Sequence, residues 1–279
     1  MTDKNHIPQE AFDWYDEYAH GGMDRRTFMK KLGTLVAVGY SMSVLTSALL
    51  PNYALAEQVS FNDDDIFATY EEFDSPDGHG KGRGYLVKPT MEKAQFPAVL
   101  VIHENRGLNP YVKDVARRLA KAGFVAFAPD ALFPVGGYPG NDDEGRTLQR
   151  QRDRNEMLED FIAAYDYLKN HEDCNGKVGV VGFCFGGWIS NMMAVKVPDL
   201  AAAVPFYGSQ PSDDEVAQIN APLLIHYAGL DERVNAGWDD YEAKLKELDK
   251  DYEVHFYPDV NHGFHNNTTP RFDEASADL

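Results

Sequence analysis

At 279 residues, with 43% hydrophobic and 12% aromatic side chains, the chain has material for one large domain or two small ones with a sizeable core. Its formal net charge of −19 excludes nucleic acid as an expected partner, because phosphate binding needs a basic surface. Its two cysteines, Cys174 and Cys184, flank one predicted strand. That puts their Cα atoms roughly 20 Å or more apart, whereas a disulfide spans less than ~7 Å, so two free thiols are expected.

Near the N-terminus, Asp24-Arg25-Arg26-Thr27-Phe28-Met29-Lys30-Lys31 precedes an uncharged stretch from Leu32 to Ala56. This resembles a twin-arginine export signal, Arg-Arg-x-Phe-Leu-Lys followed by a mild apolar segment, with Met29 in place of the leucine. Ala54-Leu55-Ala56 reads as a small-x-small cleavage site. The stretch Leu32 to Leu50 holds Gly33, Gly39, Ser41, Ser43 and Ser47, which makes it too weakly apolar for a membrane span. The expectation is a leader over residues 1–56, a mature domain over 57–279, passage through the twin-arginine export machinery, and no stable membrane anchor after cleavage. The periplasm is then the expected location, with the cytoplasm as the alternative.

From residue 68 onward, strand-like and helix-like patterns alternate. Apolar or alternating runs predict strands at Ala68–Phe73, Gly84–Val87, Pro97–Ile102, Phe124–Ala128, Lys177–Val181, Ala202–Phe206, Pro222–Tyr227 and Tyr252–Tyr257. Helical periodicity predicts helices at Tyr111–Ala122, Arg154–Asn170, Gly187–Val197 and Ala236–Leu248. Runs such as Ala98-Val99-Leu100-Val101-Ile102 are apolar throughout, as strands buried on both faces must be. The fold class is therefore α/β: a doubly wound, mostly parallel sheet of about eight strands covered by helices. The Gly- and charge-rich segment Pro134–Arg154 reads as an irregular surface loop able to overhang a site, with no large separate lid.

In such a sheet, ligands bind beyond the carboxyl ends of the strands, so polar residues just after strands carry the chemistry. Glu104 follows the strand ending at Ile102, where a charge needs a partner; a salt bridge with Arg106 is the competing reading. Cys184 stands in Gly182-Phe183-Cys184-Phe185-Gly186-Gly187, directly after Val178-Gly179-Val180-Val181. This is the strand, sharp turn and helix start of a nucleophile elbow, with cysteine where serine is usual. Residues two before and two after the nucleophile must be small, and Gly182 and Gly186 are. A free cysteine is only a few per cent thiolate at neutral pH and needs a base. His262, after the last strand, is the candidate base, ahead of His103, His226 and His255. Asp231, after the strand Pro222–Tyr227, is the candidate for orienting it, with Glu232 and Asp259 as rivals. The order Cys, Asp, His matches the order of nucleophile, acid and base in this type of fold.

At these places the chain resembles the dienelactone hydrolase family of the α/β-hydrolases. The resemblance runs from about Tyr70 to Phe272 and rests on His103-Glu104-Asn105-Arg106-Gly107-Leu108-Asn109, Ala128-Pro129-Asp130-Ala131-Leu132, the elbow, and the Asp231 and His262 motifs. It implies a Cys184–His262–Asp231 triad and an oxyanion hole made by the N–H groups of Phe185 and Asn105. It implies too that Glu104 holds the resting thiol and helps move its proton, and that no metal or organic cofactor is needed. The implied activity is cysteine-dependent hydrolysis of a small-molecule ester, lactone or thioester through an acyl-enzyme. A non-catalytic binding protein with the same fold is the alternative. Family members that open dienelactone carry an arginine four residues after the catalytic histidine, where this chain has Asn266. Arg106, Trp188 and His265 are the candidates for touching substrate; Arg271 lies further on, at an expected helix start. The family usually ends in a long amphipathic helix on the sheet, and the short stretch after Pro270 predicts some uncovered sheet surface.

Overall fold

The computed structural model describes residues 7–19, 21–49, 52–92 and 95–278. All eight expected runs become strands of one sheet: β1 Ile66–Ser75, β2 Gly80–Pro89, β3 Phe96–Ile102, β4 Val125–Pro129, β5 Cys174–Phe183, β6 Ala203–Phe206, β7 Leu223–Ala228 and β8 Tyr252–Tyr257. Their order is β1-β2-β4-β3-β5-β6-β7-β8. The first two pairings, β1 with β2 and β2 with β4, are antiparallel, and every later one is parallel.

The central strands are apolar throughout because both their faces are covered. In β3, Ala98, Leu100 and Ile102 enter one core cluster, while Val101 enters the other. The first cluster is closed by α6 Arg154–Lys169, α7 Phe185–Lys196 and α10 Trp238–Glu247, through residues such as Phe161, Ile189 and Leu245. The second is closed by α4 Pro110–Lys121, whose Val112, Val115, Ala116 and Ala120 recur at the three-and-four spacing that the sequence shows. Full burial of a valine such as Val112 contributes roughly 1.5–3 kcal/mol, and of an alanine less. Next to α4, part of the sheet is left as an open apolar groove of about 560 Å³, lined by Val99, Val181, Val204 and Phe206. No helix among the described residues covers it.

Two stretches differ from expectation. Within the supposed irregular loop lies α5 Asp142–Arg150, capped by Asn141, whose side chain accepts from the N–H groups of Asp143 and Glu144. Its buried face consists of Gly145, Arg146 and Gln149, so it has no apolar period to read. The helix expected from Ala236 starts at Trp238, preceded by the single turn α9 Glu232–Asn235. The stretch expected as a leader contains α1 Gln9–Ala19, α2 Arg25–Ala37 and α3 Met42–Leu49. These helices share a core of Ala11, Tyr15, Phe28, Leu32, Leu45 and Leu49. Gly39, at φ 114°, breaks the apolar segment between α2 and α3, and Leu50 lies outside the described residues. No helix among the described residues is long and apolar enough to cross a membrane. The expected cleavage site lies in a short 3-10 turn, Tyr53–Leu55, followed by buried Ala56. There Tyr53 donates to Asp142 Oδ1 at 2.7 Å.

The remaining short helices are α8 Asp213–Val216 and α11 Glu274–Ala277. Arg271, expected at a helix start, precedes α11 in a turn.

Candidate active site

Cys184 occupies the bend between β5 and α7 with φ 58° and ψ −111°, a conformation an L residue adopts only when its surroundings impose it. Here the imposition is close packing. A Cβ on Gly182 would lie 2.0 Å from the Gly186 carbonyl oxygen, and one on Gly186 would lie 2.4 Å from that of Ile102. The bend is pinned by the Cys184 N–H donating to Phe206 O at 3.0 Å. Phe185 opens α7, so its N–H belongs to the first turn, which has no acceptor within the helix. Neither cysteine forms a disulfide. Cys174 begins β5 inside the core, where burial pushes its thiol up; the Gly176 N–H partly offsets this.

β7 and β8 deliver the other two predicted residues. A Cβ on Gly229 would lie 2.3 Å from Pro258 O, so glycine is what lets the loops after these strands touch. Across that contact His262 Nδ1 and Asp231 Oδ2 lie 2.5 Å apart, both residues buried. Asp231 also caps α9, its Oδ1 accepting from the Val234 N–H at 3.2 Å. Burial alone would raise its pKa, but the facing His262 and Arg233 hold it below the usual carboxylate range. A carboxylate at Nδ1 places the neutral ring's proton there and leaves Nε2 as the basic nitrogen. The rivals Glu232 and Asp259 are exposed.

Glu104 is buried at the end of β3 and accepts from Asn266 Nδ2 at 3.0 Å. The salt bridge with Arg106 is not formed: Arg106 turns to Asp142, with Nη1 2.9 Å from Oδ2. Asn266, four residues after His262, therefore stands beside Glu104 as a neutral donor.

Cys184, His262, Asn105, Phe185, Trp188 and Tyr207 line one cavity of about 430 Å³. Four arginines line it too: Arg150, Arg152, Arg154 and Arg233. Arg154 lies 3.6 Å above the Trp188 ring; burial lowers its pKa, and the facing Cys184 opposes that. Arg233 reaches within 3.4 Å of His262 Nδ1. Among the described residues no cluster of histidine, cysteine, aspartate and glutamate is arranged to hold a metal ion.

Of the three candidates for touching substrate, only Trp188 lines this cavity. Buried Arg106 is drawn away by the half-buried carboxylate of Asp142. His265 lines the apolar groove on the α4 side instead, bonded through Nδ1 to the Tyr111 hydroxyl at 2.6 Å and stacked on Phe183. Arg271 is buried with its guanidinium 4.9 Å from the Tyr15 ring. The cavity arginines were not singled out in the sequence, although Arg146, Arg150, Arg152 and Arg154 within nine residues of a strongly acidic chain are a legible signal.

The model of the dienelactone hydrolase family matches residues 83–279, and a model described as YqhI-like matches residues 1–37. An Escherichia coli (strain K12) sequence, provisionally named hydrolase fragment YghX, is 63% identical over 109 residues, 39% of this chain and 93% of the fragment. A Bradyrhizobium protein, provisionally named a 2-oxo-3-(5-oxofuran-2-ylidene)propanoate lactonase, is 32% identical over 202 residues, 67% of this chain and 81% of its own length. The crystal structure of a Klebsiella pneumoniae protein, provisionally titled a dienelactone hydrolase, superposes with a TM-score of 0.67 at 25% identity, covering 76% of this chain and 94% of that one. With most of its length matched by the family model and its eight-stranded sheet matched in the solved structure, the chain belongs to the dienelactone hydrolase family.

Proposed function

We propose that the protein hydrolyses small lactones or esters that carry a carboxylate or comparable anion, with Cys184 as the nucleophile. The observation that carries this reading is the make-up of one cavity. A cysteine on a strained elbow shares it with a histidine tied to a buried aspartate, and four arginines surround it in a chain of net charge −19. The name of the Bradyrhizobium relative, a lactonase for a propanoate, points to the same class of substrate.

The residues divide the work as follows. His262 Nε2 takes the thiol proton as Sγ attacks the carbonyl carbon, and Asp231 stabilises the imidazolium that results. The oxyanion is received by the N–H groups of Phe185 and Asn105; a donor of this kind is worth roughly 2.7–4 kcal/mol in the transition state. Collapse breaks the bond to the leaving oxygen, which takes the proton from His262. In a lactone the leaving alcohol stays attached to the acyl group, so the acyl-enzyme retains both ends of the substrate. Water then gives a proton to His262 and its oxygen to the carbonyl carbon, and the thiol recovers its proton on release. The arginines hold the anionic end away from the reacting carbonyl, so they contribute mainly to KM.

The test is steady-state turnover of matched anionic and neutral p-nitrophenyl esters and of lactones, with Cys184→Ala and iodoacetamide-treated protein alongside. Preference for the anionic member and loss of turnover in both treated samples are expected. Turnover that survives both treatments removes Cys184 from the mechanism. Saturable binding of the anions with no turnover of any substrate would instead favour a binding protein.

A further inference from the structure

Arg233 lies between two carboxylates that come from opposite ends of the chain. Its Nε is 3.3 Å from Asp16 Oδ2 on α1, and its Nη2 is 3.4 Å from His262 Nδ1, the atom bonded to Asp231. A guanidinium only donates, and its planar fork favours a carboxylate over any other acceptor. Asp231, two residues before Arg233, is the other carboxylate within its field; both Asp16 and Asp231 act to raise the Arg233 pKa against the effect of burial.

α1 is well placed to decide this competition. Tyr15 is fully buried, with its hydroxyl 3.4 Å from Arg106 Nη2 and the Arg271 guanidinium over its ring. Tyr18 donates to Asp143 Oδ1 at 2.5 Å, and the same side chain pairs with Arg25 of α2 at 2.7 Å. Asn105 donates its Nδ2 to the Ala19 carbonyl at 2.7 Å. The helix thus touches both lips of the cavity, and Arg271 Nη1, 3.9 Å from Asp16 Oδ1, adds a second cation to the Asp16 carboxylate.

We propose that Asp16 is a positioning residue which draws Arg233 off Asp231, leaving that carboxylate to His262, so that the segment ahead of the family-matched domain is a working part of the active site. This rests on the reading of Asp231 and His262 as the catalytic pair. Without Asp16, the guanidinium turns to Asp231 and competes for the oxygen that orients the imidazole.

The test uses the full chain as wild type, Asp16→Asn, Asp16→Glu, Arg233→Met and the double variant Asp16→Asn/Arg233→Met. A neutral ester serves as substrate, so that loss of an anion contact does not enter. Asp16→Asn should lower kcat by about tenfold with KM nearly unchanged. Asp16→Glu should retain activity, and the double variant should be no slower than Arg233→Met alone. A second readout needs no turnover: the far-downfield proton resonance of the short His262–Asp231 hydrogen bond should weaken in Asp16→Asn and return in the double variant. An equal loss with and without Arg233, or a resonance indifferent to Asp16, overturns the proposal. So does an active protein that begins near Glu57 when its N-terminus is mapped from the cells that make it. If no variant hydrolyses anything but the resonance follows the predicted pattern, the positioning role stands and the hydrolytic reading fails.

Discussion

Asp231 meets two demands at once, capping α9 through one oxygen and holding His262 through the other. Asp231→Asn keeps the shape but lets the amide present a donor to Nδ1, which favours the wrong tautomer. By analogy with serine triads, kcat should fall on the order of 10⁴-fold, while thermal stability changes far less; stopped-flow ester hydrolysis and a melting curve check the two parts. A different signature is expected at Arg154, which lies over Trp188 beside Cys184. Arg154→Gln should raise KM for an anionic ester by about tenfold, the equivalent of ~1.4 kcal/mol, leave kcat within twofold, and spare the neutral ester. Both assays should be run at several salt concentrations, since the electrostatic part of the Arg154 effect shrinks as ionic strength rises.

The element with most influence on the cavity that lacks an apolar pattern is α5. Its start depends on the Asn141 side chain, and its end contributes Gln149 and Arg150 to the cavity wall. Asn141→Ala should cost about 1 kcal/mol of stability, within the 0.5–2 range of lost caps, and should raise KM for anionic substrates because Arg150 loses its fixed place. Urea unfolding together with KM measurement checks this. The contrast with α4 shows what makes an element legible. Val112, Val115, Ala116 and Ala120 announce α4 because they bury carbon, whereas α5 buries Gly145, Arg146 and Gln149 through close approach and hydrogen bonds. The N-terminal segment carries two patterns at once. A twin-arginine motif ahead of a mild apolar stretch suits a leader, yet Phe28, Leu32, Leu45 and Leu49 here fill a core of their own.

At the scale of the whole molecule, two buried histidines couple stability to pH. Burial pushes His265 down to about 3, with Arg118 and His226 adding to the effect, and pushes His226 down to about 4, with His255 adding. In the unfolded chain each titrates near 6.5, so below that pH the unfolded state binds more protons than the folded one. Their contribution is complete above about pH 6.5 and is lost as pH falls toward their folded values, at up to about 1.4 kcal/mol per pH unit for each. His265→Gln should flatten this slope by about one proton between pH 6 and pH 4, read as unfolding midpoints in urea at each pH. Neither histidine faces the Cys184 cavity, so this slope is separate from the pH dependence of turnover. The sequence by itself determined the eight strands, the elbow at Cys184 and the order of Asp231 and His262 after their strands. Each of these is written in local pattern: continuous apolar runs, glycines where a Cβ would clash, and polar residues at strand ends. Only the tertiary structure decided that Asn266 rather than Arg106 reaches Glu104, that four arginines line the cavity holding the cysteine, and that Asp16 comes from the far end of the chain to meet Arg233. Those pairings depend on which surfaces the fold brings together, and charge attracts charge across any sequence distance, so no local period records them.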